Sequence, residues 1–117
     1  MGWFESLISP GVKNISPQEA YSRLQNDPAI VIVDVRQPVE IQSGTVAGAV
    51  TIPLTEFGRR IDELPKDRLI LTICRSSHRS PIAARQLKKA GYQVTNIAGG
   101  IIAWEKAGLP LTKTTGA

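Results

Sequence analysis

The residues whose types and spacing could do chemistry sit in one run, Cys74-Arg75-Ser76-Ser77-His78-Arg79, continuing into Ser80-Pro81. It follows an apolar segment, residues 69–73, that reads as a buried strand. Ser80 is suited to cap a helix and Pro81 to occupy its first position. The run is therefore a strand, a short loop and a helix start. Such a loop turns several backbone N–H groups inward, and the helix dipole adds roughly half a positive charge. Cys74 would feel those amides together with Arg75, Arg79 and His78. All of them favour thiolate over thiol, so the pKa is expected below the free value of about 8.5. The same bowl would hold an oxyanion or a terminal sulfur anion.

A blander alternative stays open. A lone cysteine after a buried strand is usually an inert core thiol; the basic flanks, the loop position and the helix start weigh against that here. Arg75 and Arg79 taken singly read as solvated charges, and His78 as an exposed loop residue. No His, Asp or Glu set has metal-ligand spacing, so no metal is expected. The loop also has no carboxylate pair for glycosidase-like chemistry.

Positioning such a loop requires a sheet. Residues 30–35 form a β-branched run without alternation, the pattern of a strand covered on both faces. Residues 49–52 predict a shorter strand, 69–73 another buried one and 93–97 a last one. Ser16-Pro17-Gln18-Glu19 predicts a capping box, with Ser16 capping and Glu19 reaching back. The helix that follows, to about Gln25, should bury Ala20, Tyr21 and Leu24. Thr55 predicts the cap of a helix carrying Phe57, Ile61 and Leu64 on one face. The helix after Ser80 should bury Ala83, Leu87 and Ala90 and stop at Gly91. Gly99-Gly100 leads into a short helix through Trp104, closed by Gly108 and Pro110. Strands alternating with helices predict a parallel α/β sheet with helices on both faces. Ligands on such sheets sit beyond the carboxyl ends of strands, where Cys74 falls.

Composition narrows the classes further. With 117 residues, 42% hydrophobic and 21% charged, the chain suits a single domain over 1–117, with a core from about 14 to 111 and short flexible ends. The single cysteine excludes an internal disulfide framework and a Cys-rich zinc module. No apolar run approaches the ~18 residues of a membrane span. The net charge of +4 is mild, and 5% aromatic content argues against a base-stacking nucleic-acid binder. Arg59-Arg60 and Lys88-Lys89 are isolated pairs, so no nucleic-acid partner is expected. The first residues lack the regions of a secretory signal, and Gly2 with Ser6 match the myristoylation pattern only in part. A cytoplasmic setting is expected. Trp3, Phe4, Leu7 and Ile8 form an amphipathic turn expected to dock on the domain, a partner or a membrane.

Several spaced motifs carry a family likeness. Asp34-Val35-Arg36, Glu40, Gly44, Ala47-Gly48-Ala49 and Ile52-Pro53 resemble the rhodanese-domain signature. Cys74 with Arg79-Ser80 resembles its active-site loop. Gly99-Gly100 with Ala103-Trp104 and Gly108-Leu109-Pro110 resembles its C-terminal motif. The likeness spans roughly residues 14 to 111. It implies a rhodanese-like α/β fold, a five-stranded, mostly parallel sheet with helices on both faces. It also implies sulfur transfer through a persulfide on Cys74, with no metal or organic cofactor. Backbone N–H groups from Arg75 through Ser80, that is Arg75, Ser76, Ser77, His78, Arg79 and Ser80, would hold the persulfide. Arg75 and Arg79 would orient an anionic donor such as thiosulfate.

With no second cysteine to resolve the persulfide, the acceptor must come from outside: cyanide, a small thiol, or a thioredoxin-like or other partner protein. Asp34 and Arg36 are carried over as supports of the loop; equally, they read as a strand-end salt bridge, with Arg36 and Glu40 pairing locally. Gly99 and Gly100 read as permissive turn residues, and Trp104 as a core anchor. Three positions depart from the family pattern. Thr45 stands where His is common, Ile41 where an aromatic is common, and Ser77 where Gly is common. If that last site needs a positive φ, Ser77 is strained by about 1 kcal/mol or more. Two other functions compete: a sulfur-carrier or binding module that delivers persulfide sulfur to a partner, and a phosphatase of the same fold. Phosphatases of this type wrap one residue more between Cys and Arg than the four seen here, so this bowl suits a sulfur atom better than a phosphate ester.

Overall fold

The structure, a computed structural model, describes residues 11–113. The expected amphipathic turn and the flexible ends lie outside them. Strands β1 (Lys13–Ile15), β2 (Val31–Asp34), β3 (Val50–Thr51), β4 (Ile70–Ile73) and β5 (Val94–Ile97) alternate with helices α1 (Pro17–Asn26), α2 (Pro38–Ile41), α3 (Leu54–Arg60), α4 (Ser80–Lys89) and α5 (Gly100–Lys106). A single 3₁₀ turn, Ile61–Glu63, extends α3.

The sheet order is β1-β5-β4-β2-β3, and every strand pair is parallel. The expected "mostly parallel" sheet is thus wholly parallel. The one antiparallel contact among the described residues is an isolated bridge, Thr45 with Thr112. Alternate residues of the central strands feed two cores, as a doubly covered sheet requires. Val33, Val35, Ile70 and Cys74 pack with Phe57, Leu64, Ala83, Leu87 and Tyr92 on one face. Ile32, Leu71, Ile73 and Ile97 pack with Ala20, Ile101 and Trp104 on the other. Trp104 is fully buried and donates its indole N–H to the Pro110 carbonyl at 2.9 Å, so it is the anchor expected of it.

Local chemistry sets the element ends. Ser16 caps α1, its hydroxyl accepting the Glu19 N–H at 3.1 Å. Glu19 does not reach back, however; its carboxylate pairs with Arg23 one turn on, where a full guanidinium offers more than a backbone N–H. Gly91, at φ 92°, ends α4 as expected: its N–H bonds the Lys88 carbonyl and that of Tyr92 the Leu87 carbonyl, each at 3.0 Å. This is the paired arrangement of a Schellman stop.

Two starts differ from the sequence reading. Pro53, not Thr55, precedes α3, because the turn from β3 enters the helix directly; the Leu54 N–H is already taken by the Val35 carbonyl at 3.0 Å. Arg79 is the cap of α4, which puts Ser80 at the first helical position and Pro81 at the second. That one-residue shift turns the Ser80 hydroxyl away from capping and toward the loop. No helix among the described residues is long and apolar enough to cross a membrane.

Candidate active site

Cys74 follows β4, which lies in the middle of the sheet, and its chain turns at once into the loop before α4. It is fully buried. The loop backbone is held from outside by α5, whose first free amides reach it: Ile101 N–H bonds the Cys74 carbonyl at 2.8 Å and Ile102 N–H the Arg75 carbonyl at 3.1 Å. With these carbonyls drawn outward, the following peptide N–H groups are left to face inward. Gly100 permits the approach. A Cβ there would lie 2.4 Å from the Cys74 oxygen and 2.5 Å from the Arg75 carbonyl carbon and oxygen, so no side chain fits.

Inside the loop, the Ser77 N–H points at the Cys74 sulfur at 3.1 Å. Ser77 is at φ 70°, the one non-glycine residue with positive φ among the described residues, at a cost of about 1–2 kcal/mol. The strain foreseen at this position is present. Burial is the largest influence on the Cys74 thiol and pushes its pKa up. The Ser80 hydroxyl and the amides of Ser80, Arg79 and Ser76 oppose it and together win, leaving the thiol below its ordinary value. The buried Ser80 hydroxyl has no well-aligned hydrogen-bond partner; it lies against the sulfur, where a thiolate is the charge it can stabilise.

The arginines are placed differently from one another. Arg79 is clamped by Glu40, Nη1 to Oε1 at 2.6 Å and Nη2 to Oε2 at 2.7 Å, a bidentate pair. That hydrogen bond, first of all, lowers the Glu40 carboxyl to about 2; burial opposes it, and the Gln37 amide and the charges of Arg79 and Arg36 assist. Arg75 and His78 are exposed. The His78 ring nitrogen Nδ1 meets the Ser76 hydroxyl at 2.8 Å, and Arg75 forms no ion pair with any described residue. The positive surroundings of the sulfur are therefore mainly amides, with the guanidinium groups at the rim.

Asp34 and Arg36 form the strand-end salt bridge, both nearly fully buried, with Nη2 and Oδ2 2.9 Å apart. The expected local pairing of Arg36 with the Glu40 carboxylate does not occur. Arg36 instead donates to the Glu40 and Gly44 carbonyls at 3.1 and 2.7 Å, and the Glu40 carboxylate is spent on Arg79. Thr45 completes the group by donating its hydroxyl to Asp34 at 2.7 Å. The network thus reaches the loop in two steps: Arg36 fixes α2 by its carbonyl, and α2 carries Glu40 to Arg79. Sequence reasoning did not find the Glu40–Arg79 clamp, the role of Gly100, or the contacts of the Ser77 hydroxyl. The signals in the sequence were Glu40 and Gly100 standing in the family motifs and Ser77 replacing a common glycine, none of which names a contact partner.

A buried thiol approached by loop amides thus lies just beyond the central strand of a wholly parallel α/β sheet. The chain belongs to the rhodanese-like family, since the profile described as Rhodanese-like domain matches residues 16–107. It is 38% identical over 106 residues to a sulfurtransferase of Allochromatium vinosum, covering 90% of this chain and 99% of that one. It is 35% identical over 104 residues to a Bacillus subtilis protein named as a candidate sulfur carrier, covering 88% of this chain and 56% of that one. Among solved structures it resembles a thiosulfate sulfurtransferase from Pseudomonas aeruginosa, with a TM-score of 0.82 and 27% identity over 94% of this chain and 22% of that one. The chain thus spans nearly all of the first relative but only about half, or less, of the other two.

Proposed function

We propose that this chain is a sulfurtransferase that carries sulfane sulfur on Cys74. The thiolate attacks the outer sulfur of thiosulfate or a similar anionic donor. A sulfur–sulfur bond forms to Cys74 as the donor's own sulfur–sulfur bond breaks, and sulfite leaves with the bonding pair. Cyanide then attacks the outer sulfur of the Cys74 persulfide and departs as thiocyanate, returning the thiolate; a thiol acceptor departs as its persulfide. The inward amides of Ser76, Ser77, Arg79 and Ser80 offset the negative charge on the terminal sulfur. Arg75, exposed and in no ion pair with a described residue, draws in the donor. A cytoplasmic setting, where free thiols stay reduced, suits a single reactive cysteine.

The observation that carries this reading is the buried Cys74 sulfur receiving the Ser77 N–H at 3.1 Å inside a loop held by α5, an arrangement that favours thiolate over thiol. The test is mass spectrometry of the intact protein after thiosulfate treatment. A gain of about 32 Da on Cys74, removed by cyanide and absent in Cys74→Ala, is the expected result. No gain with thiosulfate or with any of a panel of persulfide and polysulfide donors would overturn the proposal.

A second reading, delivery of sulfur to a partner protein, has its own support. No other cysteine in the chain can accept the sulfur, and the Bacillus subtilis relative is named for carriage. It predicts slow turnover with thiosulfate and cyanide but full persulfide loading.

A further inference from the structure

The Ser77 hydroxyl is the most fully engaged small side chain at the site, and the sulfur-transfer chemistry makes no use of it. It donates to the Ile97 carbonyl at 3.1 Å and accepts the Gly99 N–H at 3.0 Å. The Asn96 amide approaches it at 3.4 Å. One donor and two acceptor sites are thereby occupied, the full capacity of a hydroxyl. Asn96 is itself fixed, its oxygen accepting the Thr72 hydroxyl at 3.0 Å and its amide donating to Asn14 at 2.8 Å. The anchor is thus tied to three adjacent strands.

Ser77 needs that anchor. Its backbone is left-handed, a conformation that glycine reaches freely and serine resists. Glycine here would relieve the strain but leave nothing to tie the middle of the loop down. Alanine would keep the strain without the tie. Serine is favoured only where its hydroxyl bonds offset the backbone cost.

We propose that Ser77 is a positioning residue: its hydroxyl clips the loop to the carboxyl end of β5 and the amino end of α5, and so keeps the Ser77 N–H aimed at the Cys74 sulfur. The clip acts through the residue's own backbone. It governs how well the bowl holds a sulfur anion, whether that anion is the resting thiolate or a bound persulfide. The inference concerns the thiolate itself, so it can be tested apart from sulfur transfer.

The experiment measures the rate of iodoacetamide alkylation of Cys74 against pH in the wild-type protein, Ser77→Gly and Ser77→Ala, with thermal unfolding alongside. Ser77→Gly carries no backbone strain, so it remains folded even if Ser77→Ala does not. The expected result is a rise in the alkylation midpoint of Ser77→Gly by about one pH unit, a roughly tenfold smaller ionisation constant. An unchanged midpoint would overturn the proposal, whatever happens to the melting temperature, because a merely structural serine would shift melting alone. Persulfide loading of the wild-type protein is read separately. Its failure alongside a shifted midpoint would count against sulfur transfer and leave the clip standing.

Discussion

Gly100→Ala isolates the contact that orients the loop. The new Cβ would lie 2.4 Å from the Cys74 carbonyl oxygen and 2.5 Å from the Arg75 carbonyl carbon and oxygen. Those are backbone atoms and cannot swing aside like the end of a side chain. Relief requires α5 and the loop to separate, which loosens the Ile101 and Ile102 hydrogen bonds at about 1 kcal/mol each. The positive φ of 64° adds about 1–2 kcal/mol for any residue with a Cβ. The combined loss is about 3–4 kcal/mol, a large share of the roughly 5–15 kcal/mol that stabilises such a domain. Gly91→Ala supplies the comparison. Its φ is 92° and a Cβ there meets nothing within 4 Å, so it bears the backbone cost alone, about 1–2 kcal/mol. Urea unfolding should separate the two variants by about 2 kcal/mol or more, and only Gly100→Ala should also raise the Cys74 alkylation midpoint. Equal losses in the two variants, or a normal midpoint in Gly100→Ala, would refute the claim that α5 sets the direction of the loop amides.

Other expectations follow from the same contacts. Glu40 has a folded pKa of about 2 against an ordinary 4.5, so its contribution is fully present above about pH 4.5 and is lost as pH falls toward 2; Glu40→Gln should flatten the stability profile across that window, as read by urea midpoints. Ser80→Ala removes the hydroxyl that favours thiolate and should move the alkylation midpoint upward toward that of an ordinary cysteine, with near-normal melting. Arg36→Met removes the guanidinium from the buried Asp34 carboxylate and should cost about 3–5 kcal/mol in urea unfolding; a loss below 1 kcal/mol would mean that the Thr45 hydroxyl and the backbone N–H of residue 36 satisfy Asp34 without it.

What the sequence disclosed and what it hid divide along one physical line. Features settled by neighbours in the chain were legible. The β-branched run at Val31–Asp34, the Ser16 cap and the Gly91 stop each depend on a few adjacent residues, and each lies within a residue or two of its predicted place. β1 was not found as a strand because it has no apolar run. Lys13 and Asn14 are exposed, only Ile15 is buried, and its strand character comes from pairing with β5, some eighty residues away. The site shows the same division. Cys74 and its loop stand out locally, whereas Glu40 meets Arg79 across 39 positions and Gly100 meets Cys74 only after the sheet has formed. The displaced start of α4 is the instructive case. A Ser-Pro pair marks a helix start well, but it does not say whether the serine caps the helix or, one position later, faces a thiol.

The sign of the Cys74 shift shows why the arrangement of amides matters more here than the count of basic residues. Two of the nearby cations are cancelled: Arg36 by Asp34 and Arg79 by Glu40. Were guanidinium charge the source of the thiolate's stability, this pairing would leave burial to win and the thiol would be inert, the bland alternative raised by a lone buried cysteine. The oriented N–H groups escape that cancellation, since their dipoles are fixed by the loop and have no counter-ion. They act at contact distance on the atom inside the bowl, whereas Arg75 at the rim acts over a Debye length of about 8–10 Å on a donor still in solution. The two roles should therefore separate. Arg75→Gln is expected to raise the KM for thiosulfate roughly three- to tenfold and to weaken its dependence on salt, as loss of a steering charge does, with the alkylation midpoint of Cys74 nearly unmoved. A midpoint shift as large as that of Ser80→Ala would show instead that the rim charge, rather than the amide bowl, holds the sulfur ionised.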